Sequence, residues 1–164
     1  MNRSLSNVFV GLLLVMLVGC GFHLRGSATL SESLKLMYVQ GINLQQGLGL
    51  DLRRALISNG ITVVNDYQQG SAVLTVLDNK FERRVLSVGS NAKVNEYELY
   101  GLLKYKITDG DGKLLSEPQD VEARRDYRFD QAQVLASDSE ETQLRKELNQ
   151  QLIQSVLRRL SAIK

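Results

Sequence analysis

Reactive side chains are scarce in this sequence. Its 164 residues include one Cys, one His, one Pro and no Trp. One Cys and one His cannot build a zinc site of the Cys/His type, and a lone Cys cannot close an internal disulfide. With 20 basic and 18 acidic residues the net charge is only +2, which argues against a nucleic-acid binder with its clearly basic face. The richness in Pro, Gly and Ser that marks disordered chains is also missing. What remains is one folded domain of ordinary size with little catalytic equipment.

The first 19 residues differ from the rest. Arg3 is their only charge, and an unbroken apolar run fills residues 8–18. That run rises about 16 Å as a helix, roughly half of a ~30 Å hydrocarbon core, so it is too short for a stable span. A basic start followed by a short apolar stretch is the pattern of a secretory signal peptide. Leu17-Val18-Gly19-Cys20 resembles a bacterial lipobox, which implies acylation of the Cys20 thiol and cleavage after Gly19. The thiolate is the nucleophile that accepts the lipid. Several acyl chains at ~0.8 kcal/mol per buried methylene anchor a protein durably without spanning the bilayer. Gly21 is not the Asp associated with inner-membrane retention, so the expected location is the outer membrane, facing the periplasm.

The remainder is expected to divide into a lipid-anchored tether over residues 20–34 and a single domain over 35–164. Leu36-Met37-Tyr38-Val39 reads as a first strand, and Leu48, Leu52, Ala55 and Leu56 recur at helical spacing before an Asn59-Gly60 stop. Ile61-Thr62-Val63-Val64 is β-branched and reads as a second strand, giving a βαβ unit with parallel strands. Alternating segments follow. Over residues 72–85 the odd positions Val73, Leu77, Phe81 and Val85 are expected on a dry face, with Asp78, Lys80, Glu82 and Arg84 on a wet one. Tyr97, Leu99, Leu103, Tyr105 and Ile107 repeat the pattern, with Gly101 as a candidate bulge. A strand near residues 121–129 sets Val121, Ala123, Tyr127 and Phe129 against Glu122, Arg124, Asp126 and Arg128.

Leu144, Leu148, Leu152, Val156, Leu160 and Ile163 form the stripe of a long C-terminal helix. Ser137 or Asp138 is its expected cap, with Glu140 and Glu141 completing a capping box. The fold class is α+β. It is a two-layer sandwich with two helices on one face of a four- to five-stranded mixed sheet, starting βαβ and continuing antiparallel.

Chemical signals are weak. His23 lies three residues from Cys20 without a nucleophile motif, so catalysis is not expected of it. Gly47-Leu48-Gly49 lacks the third glycine and the Lys-Ser/Thr of a phosphate loop. Asp109-Gly110-Asp111-Gly112 begins like a calcium loop, but position six is not Gly and position twelve is Asp120, so a hairpin turn is the better account. No catalytic residue, cofactor or metal site is expected. The basic residues are the remaining candidates. Lys80, Arg84, Arg124 and Arg128 project from one wet face if their strands are neighbours, with Lys93 in an adjoining loop. Arginine forks grip phosphate bidentately, so these five residues are candidates for binding an anionic lipid head group. The interleaved Glu82, Glu122 and Asp126 also fit an ordinary solvated face.

Cys20-Gly21-Phe22-His23-Leu24-Arg25-Gly26 resembles the mature N-terminus of the LPS-assembly lipoprotein family (LptE). Asn95-Glu96-Tyr97, the Arg125–Asp130 run with Leu135-Ala136 and Glu140-Glu141, and the element order over residues 20–163 agree with it. The resemblance implies a non-enzymatic α/β domain that sits in the lumen of a large outer-membrane LPS-assembly β-barrel and helps its assembly. It also implies that the domain assists lipopolysaccharide insertion into the outer leaflet and binds lipopolysaccharide. The family supplies no matched motif for the basic residues. The alternative is a free, periplasm-facing lipoprotein carrying an apolar or anionic lipid ligand. An envelope hydrolase comes third, since its catalytic constellation is missing.

Overall fold

The computed structural model describes residues 31–130 and 134–163. The expected signal peptide, Cys20, His23 and the motif that follows Cys20 lie outside the described residues.

The last residues assigned to the tether, Glu32–Leu34, form a 3-10 turn that buries Leu34. Strand β1 (Leu36–Gln40), helix α1 (Gly47–Ser58) and strand β2 (Thr62–Val64) make the expected βαβ unit, with Leu36 paired to Thr62 in parallel. Gly60 ends the helix region with φ +84°, a left-handed conformation that glycine adopts without a Cβ clash. Strand β3 (Ala72–Val88) joins the other side of β1, also in parallel, with Met37 opposite Ala72. Residues 65–71 therefore cross β1, and the Tyr67 ring meets Tyr38 edge-on at 6.4 Å. Strands β4 (Val94–Thr108) and β5 (Leu114–Arg128) complete the sheet as antiparallel neighbours, in the order β2-β1-β3-β4-β5. Helix α2 (Val134–Leu160) returns across β4 and β5 and touches α1.

One face of this sheet is dry. Met37, Val39, Leu74, Leu99, Leu103, Tyr105, Ile107 and Val121 pack there against Leu48, Leu52, Leu56, Leu148, Leu152 and Val156. At about 25 cal/mol per Å² of apolar surface, this burial is the main force holding the helices to the sheet. The turn from β4 to β5 is a hairpin turn, as expected. The Asp109 carboxylate accepts the backbone N–H groups of Asp111 and Lys113 at 3.0 and 2.8 Å.

Four local expectations are corrected. In β3 the buried residues are Ala72, Leu74 and Val76, while Leu77 is 51% exposed. A bulge between Val76 and Asp78 inserts one residue and reverses the parity. Only beyond it do Phe81 and Arg83 face the helix side, opposite Gly101 and Leu99. Gly101 is not a bulge, since pairing runs unbroken from Phe81 through Gly101 to Ala123. A Cβ there would lie 2.3 Å from Leu148 Cδ2, so the glycine makes room for α2. Strand β5 begins at Leu114 rather than near Val121, with Pro118 inside it. Proline is tolerated there because β5 is an edge strand with irregular register around Gln119 and Ser116. Finally, Ser137 and Asp138 do not cap α2. They lie inside it, Ser137 buried, and Glu141 turns toward the sheet instead of the helix end.

Candidate functional site

The three long strands present a second face, away from the helices. Alternation puts Asp78, Lys80, Glu82 and Arg84 of β3 there beside Lys104, Leu102, Tyr100 and Glu98 of β4, which in turn oppose Asp120, Glu122, Arg124 and Asp126 of β5. Lys80, Arg84, Arg124 and Arg128 are therefore brought to one face. Lys93 is not on it; it closes the β3–β4 turn, where its carbonyl accepts the Gly89 N–H at 2.7 Å.

The bases are paired rather than bare. Arg84 lies 2.5 Å from Glu82 and 3.7 Å from Glu98, Arg124 3.4 Å from Glu122, and Lys80 3.5 Å from Asp78. Lys104, which sequence reading left out of the cluster, reaches Asp120 at 3.0 Å. Arg128 stands directly opposite Glu96, which also accepts the Ser87 hydroxyl at 2.7 Å. Hydrogen bonding to Glu82 raises Arg84 further above its already high ordinary pKa, and Asp120 raises Lys104 in the same way. Exposed pairs of this kind add little to stability, so their main effect is to neutralise the face. Tyr100 sits at its centre. Arg84 lies over its ring at 4.0 Å and Arg124, from the opposite strand, at 5.4 Å. Two guanidinium groups thus converge on one aromatic plate, held by cation–π attraction and within reach of a shared anion. Tyr100 escaped the sequence reading because it breaks the charge alternation at an even position.

A second polar cluster lies at the helix–sheet boundary and was not anticipated. Glu141 of α2 is nearly buried, with 11% of its side chain exposed. Its Oε2 accepts the Tyr127 hydroxyl at 2.6 Å and Arg83 at 3.0 Å, and its Oε1 accepts Arg145 Nε and Nη2 at 3.1 and 2.8 Å. Arg145 also covers the Phe81 ring at 4.0 Å, and Arg83 covers Tyr97 at 4.7 Å. Burial alone pushes the Glu141 carboxyl up, but the bonds from Tyr127, Arg145 and Arg83 outweigh it and leave the group lowered. Tyr127 is pushed up to about 12, first by burial and then by its bond to Glu141. This cluster ties α2 to β3 and to the edge strand β5; its only sequence signal is that Arg83 shares the dry-face parity of Phe81.

The space between helices and sheet, where a carrier would hold an apolar ligand, is filled among the described residues by fully buried Leu99, Leu103, Leu148 and Leu152.

A family model described as LptE, lipopolysaccharide-assembly, matches residues 34–160. The LPS-assembly lipoprotein LptE of Photorhabdus laumondii is 24% identical over 163 residues, covering 99% of this chain and 88% of its own. That of Pectobacterium atrosepticum is 26% identical over 164 residues, with 99% and 88% covered. Among solved structures, the solution structure of lipoprotein B from Nitrosomonas europaea aligns with TM-score 0.73 at 28% identity, covering 87% of this chain and 91% of that one. The rare lipoprotein B of Shewanella oneidensis gives 0.67 at 26% identity, with 77% and 94% covered. With residues 34–160 matched by one family model and relatives of that family aligned over 99% of the chain, the chain belongs to the LptE family of non-enzymatic lipopolysaccharide-assembly lipoproteins.

Proposed function

We propose that this chain is anchored in the outer membrane through acylated Cys20 and occupies the lumen of the LPS-assembly β-barrel from its periplasmic side. There it helps the barrel to assemble and assists lipopolysaccharide insertion into the outer leaflet. The observation that carries this reading is the charge-paired outer face of β3, β4 and β5. Fifteen residues of β4 extend about 50 Å, longer than the ~25 Å apolar band of an outer-membrane barrel. A lumen wall is polar, and a face in which acid alternates with base can meet such a wall through water and hydrogen bonds. Affinity purification of the full chain from detergent-solubilised envelopes should recover a large β-barrel in about one-to-one ratio. Recovery of the chain alone would overturn the lumen reading.

The basic residues enter as a phosphate grip. Arg84 and Arg124 over Tyr100 form its centre, with Lys80, Arg128 and the turn residue Lys93 as outlying charges. A lipid phosphate would replace Glu82, Glu98 and Glu122 as their partner, which is an exchange of anions rather than a filling of bare charge. Replacing Arg84, Arg124 and Arg128 together by Ala should weaken lipopolysaccharide binding by roughly tenfold or more, since charge-assisted bonds to phosphate are the stronger class of hydrogen bond. The melting temperature should move little, because the lost pairs are exposed. Unchanged binding would show that the face is only solvated.

A further inference from the structure

Strand β3 changes neighbours along its length. On one side β4 accompanies it from Val73 to Val88. On the other, β1 pairs with it only from Ala72 to Thr75. Among the described residues no strand covers that side from Asp78 onward. Helix α2 packs mainly on β4 and β5 and reaches this part of β3 only through Arg145 over the Phe81 ring and Glu141 on Arg83, so Phe81, Val85, Leu86 and Val88 are still 36–57% exposed. A long free edge is ordinarily blunted by proline, by a bulge within it, or by charge that repels a second strand. This edge has neither proline nor bulge along residues 78–84, and its charges alternate in sign as Asp78, Lys80, Glu82 and Arg84.

We propose that this edge pairs with the same edge of a second copy of the chain, antiparallel about a twofold axis at Phe81. Directly opposed residues of antiparallel strands share a face. With Phe81 opposite Phe81 of the second copy, Asp78 faces Arg84, Lys80 faces Glu82, and the symmetric pairs repeat both contacts. Every outward pair is then of opposite sign. Slipping the register by two residues one way sets Lys80 against Arg84 and Glu82 against itself. Slipping it the other way sets Lys80 against itself and Asp78 against Glu82. Charge therefore selects one register. On the helix side the two Phe81 rings meet at the axis, flanked by Asn79 opposite Arg83 of the second copy. The dimer continues the acid–base ladder of β3, β4 and β5 into the second sheet, and it satisfies the edge backbone groups that water otherwise holds.

The test is site-directed cross-linking of the purified, full-length chain in detergent, without a barrel protein. In the proposed register the Cα atoms at position 81 lie about 4.5–5.5 Å apart, within disulfide range. Phe81→Cys should therefore give a reducible species of twice the chain mass under mild oxidation. Val88→Cys, more exposed than Phe81 (57% against 36%) but outside the paired segment, and the parent chain should give little. Adding Lys80→Glu with Arg84→Glu places carboxylates opposite Asp78 and Glu82 and should reduce the Phe81→Cys dimer by roughly tenfold. Adding Asp78→Lys and Glu82→Lys to that variant restores opposite signs and should restore the dimer. Melting curves of each variant report whether the fold is kept. Absence of the Phe81→Cys dimer from a folded chain, an equal yield from Val88→Cys or the parent, or indifference to charge reversal would overturn the proposal. Because no barrel is present, failure here is separate from failure of the lumen reading.

Discussion

Gly101→Val should unfold or nearly unfold this domain. The position lies where α2 crosses β4, and a single added carbon would sit 2.3 Å from Leu148 Cδ2 and 3.1 Å from Leu152 Cδ1. Both leucines are buried, at 0% and 1% exposure, in an interior packed as densely as an organic crystal. In Gly101→Ala the new methyl would meet only the Leu148 and Leu152 side chains, chiefly their terminal methyls, which can shift at a cost of about 1–3 kcal/mol. Valine adds two more carbons with one stiff rotamer and leaves α2 no seat on the sheet. A cost above ~3 kcal/mol is a large share of the ~5–15 kcal/mol that stabilises a typical domain. The measurement is the denaturant midpoint of the purified chain for Gly101→Ala, Gly101→Val and Leu148→Ala. Leu148→Ala alone should cost about 2–5 kcal/mol by leaving a cavity. Combined with Gly101→Ala it should cost less than the two separate losses together, because the new methyl fills part of that cavity. Strict additivity, or a Gly101→Val variant within ~1 kcal/mol of the parent, would contradict this account.

The second large effect is expected at Glu141. Glu141→Ala removes the acceptor of Tyr127, Arg83 and Arg145 at once. The two guanidinium groups are about half exposed and can rehydrate, whereas the Tyr127 hydroxyl is in a residue only 5% exposed and is left stranded. The cost should be about 2–3 kcal/mol, set by one orphaned buried donor and by lost charge-assisted bonds. Glu141→Gln keeps an acceptor of the same shape and should lose less. The pH dependence follows from the directions of the shifts. Glu141 is lowered from 4.5, so its contribution is complete above that value and lost as pH falls through the folded pKa. Tyr127 is raised from 10.0 to about 12, so its contribution is complete below the lower value and lost as pH rises between the two. Stability measured by thermal melting should therefore fall on the acid side less steeply in Glu141→Gln than in the parent. An identical acid limb in both would show that Glu141 does not carry this pH dependence.

Much of the fold was legible because it is local. Leu48, Leu52 and Leu56 at helical spacing, the Asn59-Gly60 stop, and the odd-position run Leu99, Leu103, Tyr105, Ile107 all lie where their periodicity puts them. Leu148, Leu152, Val156 and Leu160 do the same on α2. The failures share a cause. The bulge at Leu77 is an extra residue with no turn chemistry to mark it, and it reverses the faces from there to Val85, where a second register shift follows. Glu141 and Ser137 look like capping residues by type and spacing, but burial under the sheet edge gives Glu141 better partners than its own helix end. The site divides in the same way. That Lys80, Arg84, Arg124 and Arg128 share a face was readable once their strands were taken as neighbours. That each base already has a carboxylate beside it was not, since pairing depends on register across three strands.

The sequence by itself determined the α+β class, the two helices and the charge alternation, because each depends on which residues recur within one segment. It also carries the motif at Cys20, the most informative of its few reactive groups, and with it the resemblance to the LptE family. Only the tertiary structure decided which way β3 faces, why residue 101 is glycine, where Glu141 is bound, and that β3 has an uncovered edge. Those depend on contacts between segments far apart in the chain, where a one-residue shift in register or one close approach of a helix overrides local preference.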